Sequence, residues 1–459
     1  MKKTLFTLSL AAVAALSFQS CKKEGCTDAT ANNYNAEAKK DDGTCLYGSD
    51  ENKDLITIEG SISENLYLTN DKKYLLKGFV YLKEGYSLKI QAGTIIKGDK
   101  DSKGTLIIER GAKLFAQGTA NNPIIFTSNQ PEGARDYGDW GGLIVCGKAP
   151  INLPGGEGVL EGGTNATFGG TDAADNSGVI SYVRIEFCGI AFQPNQEING
   201  LTMGGVGSGT QIDHVQISYS GDDAFEWFGG TVNCKNLIVH RTWDDMFDTD
   251  NGFNGTIQYA LGLSDPNVAD QSGSNGFESD NDGQGNSVEP YTSPTFVNVS
   301  ILGPRTSATA TFNSQFKRAA HLRRATKQKI YNTLLAGFPD GLLVDGTKAE
   351  ANANAGDLVF SNSIIAGCAN ALKVNSGSSF AISTWYAANS NQTIADLSEL
   401  KIEESFNLTA PNFLPATGSA LLSGAKSVTG TESTSFIGAF GTENWTATWS
   451  NFDPQTPKY

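Results

Sequence analysis

Five stretches of this chain repeat one pattern, a turn rich in Gly, Asp and Asn followed by an apolar anchor. They are ISYSGDDAFEWFGG (217–230), VHRTWDDMFDTDNG (239–252), SNGFESDNDG (274–283), LLAGFPDGLLVDG (334–346) and IIAGCANALKVNSG (364–377). The anchors fall at Phe225, Phe247, Phe277, Leu342 and Leu372, with a first step of 22 residues (247 − 225) and a last of 30 (372 − 342). A step of that size is one turn of a solenoid plus loops of varying length. The text between is made of short apolar runs, such as YLLKGFVYL (74–82), GTLIIE (104–109) and NPIIFTS (122–128), bounded by Gly, Asn and Asp. Two-residue hairpin signals are few, and helical periodicity is missing between the runs, so parallel stacking is favoured over a sandwich or barrel. The chain has 459 residues, 52 of them Gly, and only 18% charged. A solenoid keeps one continuous core at such a length. The expected fold is all-β, a right-handed parallel β-helix over residues 51–459 with a C-terminal cap.

GTIIKG (93–98), AKLFAQGTANNPIIFTS (112–128) and the ending GSALLSGA…FIGAFGTENWTATWSNFDP resemble the pectate-lyase-like β-helix proteins of bacterial surfaces, over roughly residues 55–455. The resemblance implies the fold. It leaves the activity open, because such families mix enzymes with adhesins.

Residues 1–20 read as a signal peptide: Lys2 and Lys3, a largely apolar run from Leu5 to Phe18, and small Ser20 before Cys21. The apolar run is too short for a permanent span. Cys21 resembles the acylated cysteine of a bacterial lipobox, although Phe18 and Gln19 depart from its usual residues. Lys22, Lys23 and Glu24 are similar to the charged export signals of surface-displayed lipoproteins. An outer-membrane lipid anchor, exposed at the cell surface, is therefore expected. Residues 21–50 then form a spacer. Its GCTDATANNYNAEAKKDDGTCLY (25–47) resembles a small disulfide-closed module of secreted proteins, which implies a Cys26–Cys45 bond worth roughly 3 kcal/mol through loop closure. Cys146, Cys188, Cys234 and Cys368 are scattered without metal-binding spacing and read as free thiols.

Formal net charge is −15, and loss of Lys2 and Lys3 takes it to −17. Such a surface repels phosphate backbones, so nucleic acid is excluded as a partner and cations are favoured. Strand alternation turns the residue after each anchor outward, which gives Glu226, Asp248 and Glu278 as one row. Asp250, Asp280 and Asp282 lie beside it. Stacked at about 4.8 Å, these carboxylates either splay into solvent or hold a cation, and oxygen-only ligands suit Ca²⁺.

Asp222-Asp223 and Asp244-Asp245 form a second acidic pair just ahead of the strands. The first is similar to the paired aspartates of β-helix galacturonan hydrolases, but the other motifs of that family are missing in order. RAAHLRRATKQK (318–329) supplies His321, Arg323 and Arg324. Pectate lyases pair calcium with an Arg or Lys base, so the resemblance makes Arg323, Arg324, Asp222 and Asp223 the catalytic candidates of an enzyme; simple pairing of the arginines with nearby aspartates is the alternative. Trp227, Phe228, Trp243, Trp385 and Tyr386 offer aromatic surface. Trp227 points inward if the alternation holds, which leaves Trp243, with Asp244 and Asp245, as the ligand contact. Two functions remain open: a non-catalytic module binding a glycan or another extracellular ligand, with an outer-membrane barrel receptor as a further expected partner, or a lyase or hydrolase of acidic polysaccharide.

Overall fold

The computed structural model describes residues 23, 25, 27, 35–40 and 55–459, apart from 194 and 195 and the side chains of 191–196. The leader, Cys21, Cys26 and Cys45 lie outside the described residues, and with them the expected acylation and disulfide. The chain divides into two units, Met1–Leu55 and Ile56–Tyr459. In the first, Gly25 N–H donates to the Lys40 carbonyl (3.2 Å) and Lys39 N–H to that of Lys23 (2.8 Å).

The second unit is a right-handed parallel β-helix, with 26 strands in one continuous sheet among the described residues. One coil runs through Phe225–Gly230 and Asn233–His240, and the chain then returns at Phe247–Asp250 to pair in parallel with the strand where the coil began. The only antiparallel pairs among the described strands are two small excursions, Glu157–Val159 with Thr167–Gly169 and Ile190–Gln193 with Gln196–Ile198.

The anchor row is continuous. Leu201, Phe225, Phe247, Phe277, Ala320, Leu342 and Leu372 stand in register. Phe225 and Phe247 stack at 5.8 Å between centroids, and Phe247 meets Phe277 at 5.7 Å. This interior column of rings is what keeps successive coils in step, because a one-residue slip would turn every ring into solvent. Ala320 fills the place between Phe277 and Leu342, a gap of 65 residues (342 − 277) that hides a complete coil. Trp227 is fully buried, as alternation requires. Trp385 and Tyr386, expected as aromatic surface, instead sit on the short helix Ile382–Ala388, with Tyr386 stacked on Phe360 and the Trp385 indole donating to the Ala353 carbonyl. They close the interior rather than face a ligand.

One corner of the coil is a single left-handed residue. Tyr182, His214, Asn236, Tyr259, Asn298, Asn332 and Asn362 occupy equivalent places with φ between 50° and 60°. Asn tolerates this conformation best among residues with a side chain, and three of the asparagines also reach outward. Asn298, Asn332 and Asn362 donate to the carbonyls of Phe436 (2.8 Å), Lys426 (2.9 Å) and Gly424 (2.9 Å). Gln258 exchanges two hydrogen bonds with the Glu432 backbone, and Gln216 does the same with Asn451. The C-terminal stretch expected as a cap is thus a strap laid along the flank of the solenoid. It ends where Arg135 holds the carbonyls of Pro454 and Pro457 and Tyr459 donates to buried Glu186. Cys146, Cys188 and Cys234 are buried free thiols, and burial pushes each up to about 12; Cys368 is a partly buried one.

Candidate acidic cleft

The row expected from alternation exists. Thr202, Glu226, Asp248 and Glu278 stand in register, and the next coil adds His321, then Leu343 and Lys373. Charge therefore changes sign along the row, from carboxylates to imidazole to ammonium. Beside it, at the bend ahead of each strand, runs a second row. Asp223 Oδ1 accepts from the Asp245 N–H (2.7 Å), and Asp245 Oδ1 accepts from the Asn275 N–H (2.5 Å), each side chain capping the coil stacked on it. Asn275 then donates to Glu278 (3.1 Å), and Asn199 donates to Glu226, so amides close both ends of the carboxylate group.

Two sets of oxygens converge. Atoms from Asp222, Asp223 and Asp244 lie within 4.8 Å of one another, as do atoms from Asp223, Glu226 and Asp248. Asp223 and Glu226 are only 9% and 7% exposed. Asp244 Oδ1 and Asp248 Oδ1 are both sealed from water without a hydrogen-bond partner. A sealed, unpartnered carboxylate oxygen is costly unless it is protonated or faces a cation.

The titration behaviour follows from this crowding. Burial, then the neighbouring carboxylates, pushes Asp222, Asp223, Glu226, Asp245 and Asp248 well above the ordinary carboxylate range. Burial and Asp270 bring Asp244 to about 7; burial and Asp280 do the same for Asp250. Burial and Glu197 raise Glu161, on the nearby excursion, to about 7. Glu278 goes the other way: burial opposes its charge, but the His321 ring and the Arg323 guanidinium hold it below the usual range.

Arg323 pairs with Glu278 and donates through Nε to Asp280 (2.8 and 3.1 Å), while Arg324 Nη1 donates to Asp280 Oδ2 (2.7 Å). His321 Nε2 lies 2.7 Å from Asp345 Oδ2, and its Nδ1 lies 3.4 Å from Glu278 without hydrogen-bond alignment. Both arginines thus reach the acidic face, and His321 takes the outward register position.

Of the six expected cation ligands, Glu226 and Asp248 share a site with a residue assigned to the other acidic pair, Asp223. Glu278 and Asp280 are occupied by Arg323 and Arg324, and Asp250 stands at the margin, with Asn251 N–H on its Oδ1. Asp282 is turned into its own loop, accepting from Gln284 and Asn286 N–H groups, and belongs to neither set of converging oxygens. Trp243 is 42% exposed, its ring 6.2 Å from that of Tyr137, and sits directly before Asp244. Glu161, Glu197 and Asp270 join the cluster without any repeat signal in sequence, because they come from excursions and loops outside the stacked strands. A surface hollow of about 750 Å³ lies elsewhere, lined by Gln211, Asp213 and Lys235.

The fold and this cleft define a class: parallel β-helix proteins carrying a carboxylate row on one face. The model of the pectate-lyase-like β-helix domain matches residues 60–408, more than half of the chain, which therefore belongs to that family. No curated protein and no solved structure shows a significant match.

Proposed function

We propose that the protein is a non-catalytic, cation-dependent binding module of the cell surface, taking an extracellular glycan at the acidic cleft. The observation that carries this is the sealed, unpartnered Asp248 Oδ1 beside Asp223 and Glu226. An oxygen-only trio of this kind suits Ca²⁺, whose remaining positions are filled by water or ligand oxygen. The exposed indole of Trp243 supplies the apolar face against which sugar rings stack.

Lyase chemistry is less well supported by the arginines. A base must give up a proton, and although burial alone would lower it, the Glu278 and Asp280 carboxylates raise Arg323 above even its ordinary value. The alternative reading, a hydrolase or lyase of acidic polysaccharide, draws on Asp244. A carboxyl near 7 is what a general acid requires. Lipid anchoring through Cys21, a Cys26–Cys45 bond in the spacer and an outer-membrane barrel as partner belong to the same proposal, and radiolabelled palmitate incorporation lost in Cys21→Ala tests the first.

The central test is thermal unfolding with Ca²⁺ or with EDTA. Calcium should raise the melting temperature of the wild type and leave Asp248→Asn unmoved. Affinity electrophoresis through gels of uronate and neutral polysaccharides should show retardation that EDTA abolishes and Trp243→Ala weakens. Unsaturated uronate product, read by absorbance, would favour the enzyme.

A further inference from the structure

We propose that a groove between the C-terminal strap and the flank of the solenoid, centred on Asn236, takes an extended basic peptide segment of a partner protein.

Side-chain amides hold the strap coil after coil. Asn332 reads a whole peptide unit, donating to the Lys426 carbonyl (2.9 Å) and accepting from the Lys426 N–H (2.8 Å). Asn298 and Asn362 hold carbonyls in the same way, and Gln258 and Gln216 each exchange two bonds with the strap backbone. The coil between those two glutamines, through Asn233–His240, breaks the series. Its Asn236 stands at the same left-handed corner, at φ 56°, and is only 6% exposed. Yet among the described residues the Asn236 amide has no hydrogen-bond partner. A buried amide with neither its donor nor its acceptor satisfied is costly. Asn332 shows what such an amide selects at this corner: a peptide unit, which supplies both partners at once.

Asn236 faces open space where the strap stands off. Two adjoining hollows, of about 370 and 750 Å³, share Asn236, His214 and Lys235 in their walls. The smaller is bounded by Tyr259 on the solenoid side and by Phe436 and Trp445 on the strap side, with Tyr259 and Phe436 stacked at 6.3 Å. A concave site with ring walls and a few convergent polar groups is the usual form of a ligand pocket. His214 adds one such group, since its Nδ1 lies 2.8 Å from Asp213 Oδ1 and leaves Nε2 for a ligand. Charge sets the kind of side chain. Lys235 is already paired with Glu432, whereas Glu443, on the rim, forms no ion pair among the described residues. Asp213 accepts from the Ser181 hydroxyl (2.7 Å) and the Gln211 amide (2.7 Å), both neutral. The uncompensated carboxylates favour a basic residue, and arginine in particular, because its flat guanidinium also stacks on rings. The groove shares no residue with the acidic cleft.

Saturation-transfer NMR on the full chain tests this with acetyl-Gly-Arg-Gly-amide, against acetyl-Gly-Glu-Gly-amide and N-acetylglucosamine. The arginine peptide should take up saturation, in EDTA as well as in calcium, and the glutamate peptide should not. Asn236→Gly suits the left-handed corner and removes only the amide, so it should weaken arginine-peptide binding about tenfold or more. Glu443→Gln, at the exposed rim, should abolish the preference for arginine over glutamate and leave the melting temperature unchanged. No peptide binding, or binding that survives both substitutions, overturns the groove; the second result would place the peptide on the acidic cleft instead. Uptake of N-acetylglucosamine in place of the peptide also overturns it, by making the amide a reader of acetylated sugars. Should circular dichroism show Asn236→Gly unfolded, Glu443→Gln decides alone, and an unaltered arginine preference rejects the site.

Discussion

Arg323 shows how much of the cleft depends on one side chain. It pairs with Glu278 and with Asp280, which is 5% exposed, and is itself three-quarters buried (side chain 25% exposed). Removing one partner of such a group leaves buried carboxylates uncompensated, at a cost of about 2–3 kcal/mol here, given the remaining exposure. Arg323→Gln should therefore lower stability by that amount in urea titrations with EDTA, and calcium should restore part of the loss. If Arg323 were instead a catalytic base, the substitution would abolish lyase activity with little change in urea midpoint. His214 stacks on Tyr182 at 4.2 Å, while burial, with Arg241 beside it, drives His240 down to about 3 and its Nε2 faces the Leu408 carbonyl.

At the scale of elements, the strap and the left-handed corner form one device. Asn332 donates to the Lys426 carbonyl and accepts from the Lys426 N–H (2.8 Å), at φ 50°. Asn332→Ala loses both bonds and places a Cβ-bearing residue with no compensating side chain in the left-handed region, a penalty of about 1–2 kcal/mol for the backbone alone. Asn332→Gly removes the backbone penalty but not the lost bonds. Limited proteolysis should cut the alanine variant within 424–438 fastest, the glycine variant next and the wild type slowest; equal rates would mean that the amide column does not hold the strap. This device was invisible in sequence. Its members are Tyr, His and Asn at irregular steps, and their common feature is a backbone angle rather than a side-chain type. The anchor row was legible because rings recur at coil spacing and alternation then assigns Glu226, Asp248 and Glu278 to one face. Alternation fails at bends, which is why it does not place Asp223, which lies outside the strands, in one site with that row. Ala320 was hidden for a simpler reason: a small anchor inside a 65-residue gap leaves no hydrophobic signal.

For the molecule as a whole, the crowded carboxylates couple stability to pH in a direction opposite to the usual one for acidic groups. Asp244, Asp250 and Glu161 titrate near 7 in the folded chain and near 4 when unfolded. The unfolded state therefore holds fewer of these protons than the native state between about pH 4 and 7, and stability from these groups falls as pH rises through that window. Glu278 and Asp345, held low by His321 and, for Glu278, by Arg323 against burial, contribute in the other sense and lose their stabilisation only at acid pH. The net charge of −15 adds a weaker repulsion that salt screens. In EDTA at high salt the melting temperature should thus be higher at pH 5 than at pH 7.5, and Asp250→Asn should flatten the difference. Calcium should reverse the order, because the cation competes with the same protons and binds best when they have left. A metal-free protein that gains stability steadily from pH 5 to 7.5 would mean that the carboxylates splay apart in solution, and with them would go the shared site on which the binding function rests.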